Sequence, residues 1–298
     1  MLTTRRQILG TLISSAAAAG LRLYAQAPGV AKPQGVYLVT SGGDRIDEDF
    51  RRLLDAYARK LIFIPTAASS LRSTYGTIWN PDLEENRDAF VRELLLRFNA
   101  MEIQILHTRS RQVADSEEFV RPLRAAAAVW ISGGNAGRLA DAYLDTRVVA
   151  ELRAIVGRGG IVAGESAGAI IQGSYVVRGN PDKPVLMVNG RERGFGFLPD
   201  VAINPHLSAS HRENELVSVI DRYPHLLGLG IDDDTALLVR GDVAEVIGSG
   251  RVAVYDNQKH SSGWYYWMKA GDKLDLRSRK VLMPSEARHS WRTSSRQL

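Results

Sequence analysis

Ile161-Val162-Ala163-Gly164-Glu165-Ser166-Ala167-Gly168-Ala169 places a G-x-S-x-G pattern directly behind an apolar run. Apolar and β-branched residues that stop at a glycine predict a buried strand, and the small residues after Ser166 predict the first turn of a helix. A strand that turns this sharply into a helix brings neighbouring backbone very close. A Cβ two positions before or after the turn residue would then clash, which Gly164 and Gly168 avoid. Ser166 would carry its hydroxyl out of the sheet at a helix N-terminus, where the Ala167 N–H helps to hold an oxyanion. The plainer alternative is a glycine-rich turn with an incidental serine, because so short a pattern recurs by chance.

Outward from this turn, β-branched runs alternate with helical patterns, the signature of a parallel sheet covered on both faces. Residues 35–40 read as a first strand, ending in Ser41-Gly42-Gly43-Asp44. Residues 47–58 follow as a helix with Phe50, Leu53, Leu54 and Tyr57 on one face. Strands at 61–64, 102–106 and 128–131 alternate with helices at 82–98, 116–126 and 136–156, the last feeding the strand before Ser166. Such β-then-α units with short connections predict an α/β fold with a doubly wound, mostly parallel sheet rather than a closed barrel. Residues 41–43, 66–68, 133–135 and Ser166 would share its carboxyl edge, where ligands bind. Beyond Gly173, short pieces at 174–178, 185–188 and 194–197 read as loops and hairpins around the site. A helix at 213–223, a strand at 227–231 and β segments at 235–239, 244–248 and 251–255 follow.

The N-terminus has a different character. Thr3-Thr4-Arg5-Arg6-Gln7-Ile8-Leu9 is a twin-arginine pattern, followed by a short Ala- and Leu-rich stretch and by Ala25-Gln26-Ala27, a small-x-small cleavage site. Residues 1–27 are therefore expected to be a twin-arginine signal peptide, too short and too alanine-rich for a lasting membrane span. Its partner would be the twin-arginine translocation machinery, which exports folded chains to the periplasm or beyond. Cleavage after Ala27 removes Arg5, Arg6 and Arg22 but no acid, so the formal charge falls from +5 to +2. No basic cluster interleaved with aromatics suggests nucleic-acid binding, and no membrane association is expected after cleavage. The chain has no cysteine, which excludes a disulfide framework, a thiolate nucleophile and a cysteine-based metal site. Residues 28–283 are expected to form one domain, and 284–298 a polar, basic, poorly ordered tail.

A serine hydroxyl is a weak nucleophile until a base takes its proton, and the base needs an orienting partner. Of six histidines, His107, His211, His225, His260 and His289 read as ordinary surface or turn residues. His206 follows Pro205 at the end of a β-like run, a place that suits a general base and equally a structural histidine. Asp232-Asp233-Asp234 ends another strand. It reads either as the source of the carboxylate or as a solvated acidic turn able to bind a cation.

Four segments together resemble the cyanophycinase and dipeptidase E family of serine peptidases: Gly133-Gly134-Asn135, the elbow at Gly164 to Ala169, Asn204-Pro205-His206-Leu207-Ser208 and Gly230-Ile231-Asp232-Asp233-Asp234-Thr235-Ala236. The resemblance runs in order over residues 35–255. It implies a three-layer α/β/α sandwich like that of class I glutamine amidotransferases, with serine in place of their cysteine. It also implies Ser166 as nucleophile, His206 as general base, Asp233 as acid, and the N–H groups of Gly134 and Ala167 as oxyanion hole. Substrate contacts would come from Asn135, Asn204 and Arg212. No metal and no organic cofactor is implied, because such a triad carries its own base and nucleophile.

Some positions depart from the family pattern. Asp233 stands where glutamate is frequent, which leaves Asp232 and Asp234 as alternatives. Ala136 replaces a glutamine, and Ser210 and Glu215 occupy positions of arginines. The expected function is an exported serine peptidase that hydrolyses an amide or isopeptide bond of a small peptide, next to an acidic residue, through an acyl-enzyme on Ser166. The alternatives are an α/β-hydrolase-type esterase, whose order of triad residues would need His260 or His289 as base, and a non-catalytic binding domain. The sequence leaves the oligomeric state open, a homodimer included.

Overall fold

The structure is a computed structural model that describes residues 34–283 apart from 181, 183 and 188–190. The expected signal peptide, 1–27, and tail, 284–298, lie outside the described residues. The first half of the chain runs through β1 (Val36–Thr40), α1 (Asp44–Asp55), β2 (Lys60–Ile64), β3 (Leu71–Arg72), β4 (Ile78–Trp79), α2 (Arg87–Phe98), β5 (Glu102–Ile105), α3 (Arg111–Ala114), α4 (Glu117–Ala125) and β6 (Ala128–Ile131). Next come α5 (Ala136–Tyr143), α6 (Arg147–Gly157), β7 (Ile161–Glu165), α7 (Ala167–Ile170), β8 (Gly173–Tyr175), β9 (Leu198–Pro205), α8 (Glu215–Arg222) and β10 (Leu227–Ile231). The remainder is β11 (Thr235–Arg240), β12 (Val243–Gly248), β13 (Arg251–Tyr255), β14 (Tyr266–Lys269), β15 (Lys273–Asp275) and β16 (Lys280–Met283).

Successive side chains of a strand point to opposite faces, and here both faces are buried. Leu61 and Phe63 of β2 join Phe50 of α1 and Phe98 of α2 in one core, whereas Ile62 and Ile64 join Leu139 of α5 and Leu152 of α6 in the other. The strands β1, β7, β6, β2 and β5 lie side by side in that order and in parallel. Helices α1 and α2 cover one face, and the helices after β5 cover the other, because the chain winds out from β1 through β2 to the edge strand β5 and then back through β6 to β7, a doubly wound sheet as the alternating pattern predicts. Antiparallel strands β11, β12, β15 and β16 extend it past β1.

Two expectations need correction. The segments after Gly173 are not only hairpins and loops, because β14, β13, β10, β9 and β8 form a second sheet in that order. Its side chains share the core of the α5 and α6 face. Within it β8, β9 and β10 are parallel, a pairing invisible to local pattern because the partners are far apart in sequence. The expected helix 136–156 is two helices. Asp145 adopts a left-handed φ of 58° and Thr146 Oγ1 donates to Tyr143 O at 2.7 Å, which ends α5 and restarts the chain as α6. Apolar spacing continues across the break and so conceals it.

The arrangement brings three strand ends together. β7 lies between β1 and β6, so Ser166 emerges beside Thr40 and Ser41 on one flank and Gly133 on the other. In the second sheet Pro205 of β9 is in register with Ile231 of β10, so His206 and the 232–234 run leave adjacent strands side by side. That run then crosses to β11 in the main sheet, next to β1.

Candidate active site

Ser166 has φ 53° and ψ −109°, a conformation that costs a residue with a Cβ on the order of 1–3 kcal/mol. Backbone contacts enforce it. A Cβ on Gly164 would lie 2.1 Å from the Gly168 carbonyl oxygen, and one on Gly168 would lie 2.2 Å from that of Ile131. Only glycine fits either position. The Ser166 N–H donates to Thr40 O at 2.8 Å, which pins the turn to β1.

Against this serine the fold sets the imidazole of His206, with Nε2 3.0 Å from Ser166 Oγ. On the other side of the ring, Nδ1 lies 2.5 Å from Asp233 Oδ1. The two neighbouring aspartates are occupied elsewhere. Asp232 Oδ1 accepts from the N–H and the hydroxyl of Ser208, at 3.1 and 2.6 Å, and so ties the loop after His206 to the end of β10. Asp234 accepts from the Arg45 N–H at 2.8 Å and from Ser249 Oγ at 2.7 Å. Three adjacent carboxylates thus face three different partners, which removes the repulsion that a shared site would bring. Among the described residues there is no group of three His, Cys, Asp or Glu side chains able to hold a metal ion.

The loop between β6 and α5 closes over the serine. A Cβ on Gly133 would sit 3.3 Å from Ser166 Cβ, and one on Gly134, at φ 140°, would meet Ala67 O at 2.3 Å. Among the described residues neither the Gly134 nor the Ala167 N–H has an intramolecular acceptor. Asn135 is committed to structure. Its Oδ1 caps α5 through the Arg138 N–H at 3.3 Å, and its Nδ2 faces the carbonyls of Arg178 and Asn180 at 3.5 Å.

Asn204 is completely buried and donates through Nδ2 to Glu215 Oε2 at 2.9 Å, so its reach toward a substrate runs through Glu215. Glu215 also pairs with Arg178, a residue that local pattern did not single out. Its only signal is an arginine closing the β-like run at 174–178. Arg212 donates to Pro205 O at 3.2 Å, and burial, with Arg178 nearby, draws its guanidinium below the ordinary value. Besides Asp233, two guanidinium groups and the Glu215 carboxylate therefore gather around the segment that carries His206. Of the other histidines, His107 faces Thr66 and Asp82, His260 faces Asp256, and His289 lies outside the described residues.

The profile of Peptidase family S51 matches residues 37–247, a span that includes Ser166, His206, Asp233, Arg178, Arg212 and Glu215. The chain belongs to peptidase family S51. That family is one of serine-type peptidases, which places the S51 chain among the hydrolases. Among its curated relatives, a cyanophycinase of Geminocystis herdmanii (strain PCC 6308) is 28% identical over 186 residues, 61% of this chain and 68% of that one. A cyanophycinase of Nostoc sp. (strain PCC 7120 / SAG 25.82 / UTEX 2576) is 33% identical over 162 residues, 53% of this chain and 54% of that one. The matched stretch thus spans about half to two thirds of the relatives' length. The crystal structure of a peptidase from an acI-B1 Actinobacterium superposes with a TM-score of 0.62, covering 82% of this chain and 98% of that one at 22% identity. This likeness shows the S51 chain to share that fold, an α/β sandwich around a mostly parallel sheet.

Proposed function

We propose that this S51 chain hydrolyses an amide or isopeptide bond of a small peptide through an acyl-enzyme on Ser166. The observation that carries the reading is the unbroken line Ser166 Oγ, His206 Nε2, His206 Nδ1, Asp233 Oδ1, at 3.0 and 2.5 Å. Asp233 accepts a hydrogen bond from the Nδ1–H, which keeps the proton on Nδ1 and leaves the Nε2 lone pair directed at the serine. As Ser166 Oγ attacks the scissile carbonyl carbon, His206 takes its proton. The oxygen that becomes negative is received by the N–H groups of Gly134 and Ala167. His206 then gives the proton to the departing amine, and water, deprotonated by the same imidazole, releases the acyl group.

The charged groups beside the triad support a substrate with an acidic residue next to the bond. With Asp233 committed to His206, Arg178 and Arg212 face Glu215 as the remaining carboxylate, and a partly desolvated guanidinium gains by pairing with a carboxylate. Glu215 holds Arg178 in place and limits how much negative charge the pocket takes. The cyanophycinase relatives support a peptide substrate.

The test is hydrolysis of a library of α- and β-aspartyl and uncharged dipeptides by wild type, Ser166→Ala and His206→Ala. Loss by about a thousandfold or more in both variants is the expected result. A wild type that neither cleaves nor reacts with a fluorophosphonate would instead mark a binding protein on a peptidase fold.

The twin-arginine pattern at Arg5-Arg6 supports export of the folded chain to the periplasm or beyond. Arg5→Lys with Arg6→Lys is expected to keep the protein in the cytoplasmic fraction. Unchanged export would count against that route.

A further inference from the structure

We propose that Ser41, at the end of β1, is a positioning residue that holds the base segment and the acid segment in register with the nucleophile. The proposal rests on the peptidase reading above. Ser41 is only 4% exposed. Its hydroxyl donates to Ile231 O at 2.9 Å, one residue before the aspartate run, and accepts the His206 N–H at 3.1 Å. The residues on either side complete the arrangement. Thr40 O accepts the Ser166 N–H and Gly42 O accepts the Asp234 N–H, both at 2.8 Å. Three consecutive residues thus anchor the segments that carry nucleophile, base and acid, which come from two different sheets.

Ser41 is the one of the three that acts through its side chain on two of those segments. Its role at His206 is the more consequential. His206 has a left-handed φ of 58°, unfavourable for a residue with a Cβ, so its backbone must be held where it is. The Ile231 carbonyl has a second donor in the Leu207 N–H, at 3.1 Å, whereas the His206 N–H has the Ser41 hydroxyl. Alanine at position 41 would leave that part-buried N–H without its protein partner. The residue would then relax, and the imidazole would drift from Ser166 Oγ. A displacement of about 1 Å in a reacting group costs on the order of a hundredfold in rate.

Ser174, more exposed than Ser41, supplies a control away from the triad. Its hydroxyl bridges the same two kinds of group, donating to Leu198 O at 3.3 Å and accepting from the Asp200 N–H at 2.9 Å, and it touches no triad residue. Ser41→Ala and Ser174→Ala are compared with wild type by kcat, KM, pH–rate profile and thermal unfolding. Both are expected to lose stability. Ser41→Ala alone is expected to lose about tenfold to a hundredfold in kcat with KM within about threefold, and to shift the acid limb of the pH profile. Ser41→Thr, which retains the hydroxyl, recovers most of the rate.

A kcat for Ser41→Ala within about twofold of wild type, or an equal loss in Ser174→Ala, overturns the role of Ser41. If Ser41→Ala does not fold, Ser41→Cys offers a weaker acceptor in the same place. An intermediate kcat supports the proposal and a wild-type kcat overturns it. A wild type that neither hydrolyses nor labels overturns the peptidase reading and this proposal together, whereas an active wild type with an unaffected Ser41→Ala overturns the Ser41 role alone.

Discussion

Arg97 of α2 donates to both carboxylate oxygens of Asp47 in α1, at 2.8 and 2.9 Å, and extends the same guanidinium to Glu165, the residue before Ser166, at 3.1 Å. The guanidinium also lies over the rings of Phe98 and Trp130, at 4.7 and 5.2 Å. One cation therefore joins the two helices on that face to the end of β7. Burial pushes the Asp47 carboxyl up, and Arg97 opposes it. Arg97→Met strands two carboxylates beside each other and should cost about 3 kcal/mol or more in urea unfolding. The sign of its pH dependence follows from the opposition lost. With Arg97 gone, the folded-state pKa of Asp47 rises further above its unfolded value, so the deficit should shrink as pH falls. A deficit that grows on acidification would show that Asp47 is not the group responsible.

The elbow tolerates no side chain at Gly168. Its Cβ would lie 2.2 Å from the Ile131 carbonyl oxygen, a backbone atom in the central strand β6 that cannot step aside. Gly168→Ala should destabilise the fold by about 2–3 kcal/mol and abolish fluorophosphonate labelling of Ser166 in whatever fraction remains folded. Gly76→Ala is the comparison, because no atom lies within 4 Å of its Cβ position. Its φ of 100° still makes alanine unfavourable, but labelling should persist.

Adjacent aspartates should give different phenotypes. Asp233→Asn replaces the anionic acceptor at His206 Nδ1 by an amide that can also donate, which permits the wrong tautomer, so kcat should fall by about a thousandfold or more with little change in the urea midpoint. Asp232→Asn weakens the tie to Ser208 and should appear first as lost stability. The reverse pattern in steady-state kinetics and unfolding would reassign the acid.

Asp82 gives an acid-sensitive contact away from the triad. Hydrogen bonds from Arg109 and His107 hold its carboxyl down to about 2, against an ordinary 3.8. Burial keeps the His107 ring below its ordinary value. Both groups bind fewer protons in the folded state, so both contribute stability that is lost as pH falls. The Asp82 share disappears between about 4 and about 2. Asp82→Asn should flatten the stability curve in that window, and urea midpoints measured across it would reveal an unchanged slope if the contact contributes nothing. The carboxylate is nearly half exposed, so the effect is modest.

Arg212→Gln probes the charge of the pocket. Losing a charge-assisted contact should lower kcat/KM for an aspartyl substrate about tenfold relative to its uncharged analogue. An unchanged ratio would place the acidic residue elsewhere.

Local sequence carried much of this fold. The 161–169 segment announced its strand, turn and helix because an apolar run stops at a glycine and small residues follow, although only Gly164 answers an approach within the segment, Gly168 meeting Ile131 of β6. The parallel strands were legible from unbroken apolar runs at 61–64 and 128–131, since burial on both faces leaves no alternation to misread. The helix break at Asp145 was not legible, because one residue in a left-handed conformation leaves the apolar spacing intact. Among site positions, Asn135 and Asn204 were visible as motif letters but are turned to an α5 cap and to Glu215. Arg178 had no motif to mark it.

The sequence by itself determined the chemistry available: a serine on a strained turn, a histidine behind a proline, three consecutive carboxylates and no thiol. Those are properties of residue type and of neighbours a few positions away. The family resemblance implied His206 and Asp233, but only the tertiary structure shows them in line with Ser166 and Asp232 and Asp234 turned elsewhere, because that alignment depends on the parallel register of β9 with β10 and on the crossing from the second sheet to β11. Register between distant strands is fixed by the packing of two cores and by hydrogen bonds such as those of Ser41. No short stretch of sequence contains both partners of those contacts.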